Sequence, residues 1–164
     1  MHFRFEHEFD IDPKTYWNIF FDDAYNVDLY KRLRMNDRKV LEQKDDGKVL
    51  RRVVKLTPAD EVPAMFRSVI KDTGYTEHDT FYRDRSAMDV VIEPSMLKNK
   101  FDFRAIYSVI PVGDARCRRI FEGDCKVSVM VIGGQIEKFI VDNVRASYDT
   151  AATVTREWIA KRKA

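Results

Sequence analysis

Apolar positions along this chain change their period several times, and each change marks an element. Phe3, Phe5, Phe9 and Ile11 alternate with Arg4, Glu6, Glu8 and Asp10, with His7 on the apolar parity, which predicts a half-buried first strand. Asp12-Pro13 follows, an N-cap residue with proline at the first helical position. Tyr16, Trp17, Phe20, Phe21, Ala24, Tyr25, Leu29 and Leu33 then recur at helical spacing to about Arg34, and Asn26 is the expected break between two short helices. Alternation resumes from Arg38 to Lys44, Asp45-Asp46-Gly47 is a hairpin signal, and Lys48 to Leu56 returns. Thr57-Pro58 and Pro63 bracket a break, and Ala64 to Ile70 predicts a short helix. Tyr75 to Arg83, Met88 to Ile92 and Phe101 to Val109 read as strands, with a turn near Arg85-Ser86, a connection from Pro94 to Lys100, and Pro111 as the stop. A long alternating strand runs from Cys117 to Val131.

The final thirty residues organise the rest. After Gly134 there is no further glycine or proline, and Ile136, Ile140, Val144, Tyr148, Ala151, Thr155, Trp158 and Ile159 lie three or four apart. Glu137, Asp142, Arg145, Asp149, Arg156 and Glu157 fall off that stripe. Gly134 is the expected N-cap, Glu137 is expected in the first turn at the positive end of the helix dipole, and Lys161, Arg162 and Lys163 sit at the negative end. From Gly134 to Lys161 the helix would be about 42 Å long. A lone helix cannot bury such a stripe. A strand leading into it across Gly133-Gly134 predicts a sheet that curls around the helix. The register of the last two strands is constrained too. A two-residue turn at Gly113-Asp114 would put their apolar residues on opposite faces, because a one-residue slip inverts every side chain. A three-residue loop, Gly113-Asp114-Ala115, or a bulge near Gly123 is therefore expected, so that Phe103 and Tyr107 share a face with Phe121 and Val127.

Composition narrows the function. The length suits one domain with a sizeable core. The net charge of +2, with both signs mixed along the chain, leaves no electrostatic footprint for nucleic acid. No apolar run approaches the ~20 residues of a membrane span, and the amino terminus does not read as a signal peptide, so a cytoplasmic location is expected. Cys117 and Cys125 lie eight apart in one strand, roughly 26 Å, too far to bridge, and are expected as free, partly buried thiols. His2 and His7 face opposite sides of the first strand, and no metal-ligand spacing links them to His78. His78 qualifies as a general base only if it points inward. The scattered Asp22-Asp23, Asp45-Asp46 and Asp84 offer no spacing that pairs two carboxylates for acid/base work. Arg119 falls on the inward parity between Cys117 and Phe121, where it either meets a ligand anion or reaches solvent near the strand end. Tyr107 needs a hydroxyl partner if buried.

With these residues laid out, the chain resembles the START-like, or Bet v 1-like, helix-grip superfamily, also called SRPBCC, and within it the DUF2505 family. The likeness is carried by Phe3-Arg4-Phe5-Glu6-His7-Glu8-Phe9 ahead of Asp12-Pro13, by Leu56-Thr57-Pro58 with Pro63, and by the Phe101 to Val112 strand. Above all it rests on Gly133-Gly134-Gln135-Ile136-Glu137-Lys138-Phe139 leading to Thr155-Arg156-Glu157-Trp158. The resemblance implies an α+β helix-grip fold over residues 1–164, with a curved seven-stranded antiparallel sheet around the C-terminal helix and two short helices after the first strand. It implies an apolar cavity between sheet and helix that binds or carries a hydrophobic, lipid-like small molecule. The alternatives are a cyclase or hydrolase acting in that cavity, or an interaction module with a filled core. No catalytic motif transfers, and no cofactor or metal is required. The inward set expected to line the cavity is Phe81, Met88, Val90, Phe103, Tyr107, Arg119, Phe121, Val127, Ile140 and Val144. The segments from Tyr16 to Leu33 and from Met65 to Ile70 are expected at its mouth.

Overall fold

The computed structural model describes all residues, Met1–Ala164. Seven strands form one antiparallel sheet: β1 (His2–Phe9), β2 (Met35–Asp45), β3 (Val49–Pro58), β4 (Tyr75–Tyr82), β5 (Ala87–Pro94), β6 (Phe101–Pro111) and β7 (Cys117–Val127). Their order across the sheet is β1-β7-β6-β5-β4-β3-β2. Two short helices, α1 (Pro13–Phe20) and α2 (Asp23–Arg32), follow β1, and α3 (Gly133–Lys163) closes the chain. The backbone of α3 approaches β7, β1 and α2 and stands further from β3, β4 and β5. The helix is therefore held close at one side of the concave face and only spanned by side chains at the other.

Local sequence explains most boundaries. Asp12 caps α1, its carboxylate accepting from Thr15 N at 2.9 Å. The break between α1 and α2 lies at Phe21-Asp22 rather than at Asn26, because Asp22 caps α2 by accepting from Tyr25 N at 2.9 Å. Asn26 instead fastens the joint, its amide donating to Phe20 O at 2.9 Å and Asp22 O at 2.8 Å. Of the expected Ala64 to Ile70 helix, only a 3-10 turn at Ala64–Phe66 forms. Pro111 extends β6 to its pairing with Cys117. The β6–β7 connection is the three-residue loop Gly113-Asp114-Ala115, closed by Val112 N donating to Arg116 O at 2.9 Å. The pairing then runs without a shift from Pro111↔Cys117 through Tyr107↔Phe121 to Phe101↔Val127.

The end of β7 departs from the sequence expectation. The strand stops at Val127, and the chain turns through Val131, a β-branched residue at φ 69°. The helix begins at Gly133, with Ile132 as a cap that offers no side-chain bond, so Gly134 is not the N-cap. Gly133 is demanded by contact. A Cβ there would stand 2.3 Å from Val127 O. Glu137 lies beyond the first turn and links the ends of three elements. Its carboxylate accepts from Val127 N at 2.9 Å and pairs with the Met1 ammonium at 3.0 Å.

The buried face of α3 is wider than the expected stripe. Ile136, Thr155 and Ile159 are buried as expected, but Val141, Ala152 and Val154 are buried too, while Ile140, Val144, Tyr148, Ala151 and Trp158 are only half-buried. Toward its C-terminus the helix is covered by α2 as well as by the sheet, with Tyr25 edge-on to Trp158 and its hydroxyl 2.8 Å from Thr155 Oγ1. Cys117 and Cys125 are free and fully buried rather than partly so, and burial pushes both thiols up to about 12, which leaves them inert at neutral pH. No helix is long and apolar enough to cross a membrane.

Candidate functional site

Strand alternation sets two different polar groups into the concave face. The first sits on β7, where Cys117, Arg119, Phe121, Cys125 and Val127 all point inward and are buried. Arg119 is 1% exposed and has no carboxylate partner. Its guanidinium donates to Tyr148 O at 2.8 Å and to His7 Nδ1 at 2.9 Å, and reaches the hydroxyls of Tyr16 at 3.4 Å and Tyr107 at 3.5 Å. The rings of Phe9, Tyr107 and Tyr148 lie within 6 Å of it. Burial works against the Arg119 charge, but the tyrosine oxygens outweigh it and the group stays protonated. The arginine in turn fixes the His7 tautomer. Nδ1 must accept, so Nε2 carries the proton and donates to Asp149 Oδ1 at 2.9 Å. Burial, with the nearby Arg119 charge, holds His7 below its ordinary value and so neutral. Tyr16 and Tyr107 hydrogen-bond each other, and burial raises both phenols, Tyr107 to about 12.

Aromatic rings fill the space around this cluster. Phe121 and Tyr148 stack at 4.4 Å between centroids and 9° between planes, Phe3 stacks on Phe5 and Phe103, and Trp17 meets Phe81 at 4.4 Å. Arg119 Nε is buried without a hydrogen-bond partner.

The second group sits on β3 and β4. Leu50, Arg52, Val54 and Leu56 point inward from β3, and Tyr75, Glu77, Asp79 and Phe81 from β4. Arg52 and Asp79 form an ion pair buried to 4% and 0% of side-chain surface, with Arg52 Nε and Nη2 both donating to Asp79 Oδ2 at 3.1 and 2.8 Å. Phe20 and Phe21 cover the guanidinium at 5.7 and 5.4 Å. The other oxygen, Asp79 Oδ1, is buried and accepts from no N–H group. Glu77, two residues earlier on the same face, is the neighbouring carboxyl. Burial and the Asp79 charge push it up to about 8 against the opposing pull of Arg52, and burial raises Asp79 as well. The pair therefore holds a proton at neutral pH.

Glu77, Tyr75, Ile92, Ile140, Val144 and Tyr148 are half-buried. Burial raises Tyr148, and the nearby tyrosine and Glu77 charges add to the rise. Phe66 packs on Phe139 of α3 at 5.5 Å and covers one end. On the outside, a cleft of about 340 Å³ between α2 and β2 is lined by Asn26, Val27, Tyr30, Lys31, Met35, Asn36, Asp37 and Arg38. Arg38 lies over the Tyr30 ring at 4.7 Å, with its Nε buried and unpaired. A second cleft, of about 470 Å³, lies in the polar connection from Asp60 to Thr73.

The inward set divides between these two regions. Phe81, Met88, Val90, Phe103, Tyr107, Arg119, Phe121 and Val127 are buried, and most of them fill the interior rather than line a space. Ile140 and Val144 are half-buried and border the open part. His78 points outward, its side chain 43% exposed and 3.4 Å from Glu93, so it does not face the interior. The expectation that no two carboxylates pair is corrected by Glu77 and Asp79. Their signal was on the page as parity: both share the face assigned to Phe81. Arg52 likewise shares the face of Leu50 and Val54.

This is the architecture of the helix-grip superfamily. The sequence matches the family described as Protein of unknown function (DUF2505) over residues 4–159, and the chain belongs to that family. Among solved structures it is similar to the Zhui aromatase/cyclase from a Streptomyces species, with a TM-score of 0.70 at 10% identity over 100% of this chain and 96% of that one. It is similar to norcoclaurine synthase from Thalictrum flavum in complex with dopamine and hydroxybenzaldehyde, with a TM-score of 0.68 at 14% identity over 100% and 88%. A START superfamily protein from Mycobacterium smegmatis gives 0.60 at 15% identity over 96% and 98%. At these identities the likeness is one of fold. No curated protein sequence matches.

Proposed function

We propose that this protein binds a hydrophobic small molecule between β4, β5 and the middle of α3. The observation that carries the reading is the contrast along one concave face. Most inward residues of the sheet are buried by neighbours, Phe81, Met88 and Val90 among them, whereas Tyr75, Glu77 and Ile92 near the ends of β4 and β5, and Ile140, Val144 and Tyr148 on α3, are only half-buried. A concave, mostly apolar space with a few convergent polar groups is the usual setting for a ligand. The fold supports the reading by analogy, since structural neighbours include a cyclase and a synthase crystallised with small aromatic molecules.

Native mass spectrometry of the purified protein, beside an organic extract of the same sample, tests it. An extra mass that leaves on extraction is expected, and Val144→Trp, which fills the space from the helix side, is expected to fold and to lose that mass. A bare protein that also takes up none of a panel of fatty acids, sterols and polyphenols would overturn the reading.

A further inference from the structure

The sheet ends at β2, and that edge is left uncovered along nearly its whole length. Of its 11 residues only Met35 and Arg38 are even half-buried, and Val40 and Leu41 are 41% and 51% exposed. A free edge carries a row of unpaired N–H and C=O groups, and proteins commonly blunt it with lysines and bulges. β2 has both, yet its charges are arranged to fit one partner. We propose that two copies of this chain pair edge to edge through β2, antiparallel, about a two-fold axis at Val40.

The backbone fixes which registers are open to such a pair. Arg34 O accepts from Ala59 N at 2.9 Å, and Asp46 N donates to Val49 O at 3.2 Å, so Arg34 and Asp46 both face β3. Residues between them turn alternately toward and away from that neighbour. The pairing shifts between Met35 and Asp37 and between Val40 and Glu42, which makes Asn36 and Leu41 the extra residues of two bulges. Counted from either end with those two left out, Arg38, Val40, Gln43 and Asp45 turn their N–H and C=O groups outward. A second β2 with Val40 opposite Val40 then sets Arg38 opposite the partner's Gln43. Both are hydrogen-bonding positions of the ladder.

Charge selects this register. Asp37, Lys39, Glu42 and Lys44 stand opposite Thr57, Lys55, Val53 and Arg51, on the outer face of the sheet. With Val40 on the axis, Lys39 meets the partner's Glu42 and Asp37 meets the partner's Lys44, and the symmetry makes each contact twice. Within one chain the residue opposite Lys39 is Lys55, a like charge, so the partner's carboxylate relieves a repulsion as well as forming a pair. Glu42 already lies 2.8 Å from Lys44 on its own strand, which holds its carboxylate on that face. An axis between Val40 and Gln43 would instead set Lys39 against the partner's Lys44. An axis at Gln43 would run the pairing off into the Asp46-Gly47 turn. On the inner face, the axis at Val40 brings two exposed valine side chains together and covers both.

Sedimentation velocity of the full chain at low salt, from about 5 to about 500 µM, tests the inference. One paired edge is a small interface, so a dimer with a dissociation constant on the order of 10–100 µM is expected. Val40→Pro removes an N–H that β3 does not use and is expected to leave a monomer. Lys39→Glu and Glu42→Lys, each alone, are expected to weaken the dimer about tenfold or more, because like charges then face each other twice. An equal mixture of these two variants is expected to dimerise as the unmodified chain does, since each introduced charge meets its opposite across the axis. A chain that stays monomeric throughout overturns the inference. So does a dimer indifferent to Val40→Pro, or a pair of charge variants that fail to complement each other. Both charge variants change exposed side chains, so they decide the matter even if Val40→Pro fails to fold.

Discussion

The two sides of the concave face begin from the same alternation and end differently. On β1, β6 and β7 the inward residues Phe3, Phe5, Phe103, Tyr107 and Phe121 are buried, and the Tyr148 ring closes on Phe121. Their charged member, Arg119, lacks a carboxylate but is surrounded by His7, two phenols and a backbone carbonyl. On β4 and β5 the facing helix backbone is further away, and Glu77 and Ile92 keep accessible surface. There two neighbouring carboxyls hold a proton between them. Burial of a charge is tolerated where the fold itself supplies the bonds.

The sharpest way to break this contrast is to open a hole on the packed side. Phe121→Ala removes a ring that stacks on Tyr148 and touches Phe3 and Tyr107. A loss of about 4 kcal/mol is expected from the urea midpoint at constant slope. Arg119→Ala should follow at about 3 kcal/mol, because it leaves His7 Nδ1 without a donor, removes a second donor from the Tyr148 carbonyl and creates a void besides. If either variant costs less than about 1 kcal/mol, the packed side is not packed as described.

How much of this was legible follows from which signals are local. The seven strands followed from parity, which also narrowed the β6–β7 connection to a three-residue loop or a bulge near Gly123 and put Arg119 on the inward parity without settling whether it reached solvent, since period-2 alternation names a face once a single residue is anchored. The same rule carried Glu77, Asp79 and Arg52 inward with Phe81, Leu50 and Val54, but a search for carboxylates by type passed over them because they sit inside a strand that otherwise reads as polar. The α1–α2 break was misplaced because Asp22 and Asn26 are both turn-prone, and only the three-dimensional joint shows that one caps while the other braces. That the grip is closed on one side and open on the other was not legible. It depends on how far α3 stands from each strand, a sum of side-chain volumes that no local pattern encodes.

Next in size is the pH dependence on the open side. Glu77 titrates at about 8 in the fold, well above an ordinary carboxyl, so the folded state retains a proton that the unfolded chain releases. Its contribution is fully present below the unfolded value near 4.5, fades as pH rises toward 8, and is flat beyond. Other groups titrate in this window, His7 among them, so the useful quantity is the difference from Glu77→Gln. That variant should gain on the unmodified protein by about 2 kcal/mol between pH 5 and pH 8, less than the limiting ~1.4 kcal/mol per pH unit because Glu77 keeps some solvent contact. Parallel stability curves for the two proteins would mean that Glu77 is solvated and that the open side has no buried acid pair.

The smallest effect compares the sides with identical chemistry. Val109 on β6 is fully buried, and Val144 on α3 borders the open space. Val→Ala deletes the same two methyl groups at each. At Val109 the methyls are lost from a close-packed site, where transfer and cavity costs add to about 2 kcal/mol. At Val144 part of that surface already meets the interior space, and alanine there is a better helix former than valine, so the cost should stay below about 1 kcal/mol. If the two losses are equal, the space beside Val144 is filled in solution. If Val144→Ala is nearly free and at the same time increases the ligand mass that native mass spectrometry finds on the protein, the wall it forms is the wall of the site.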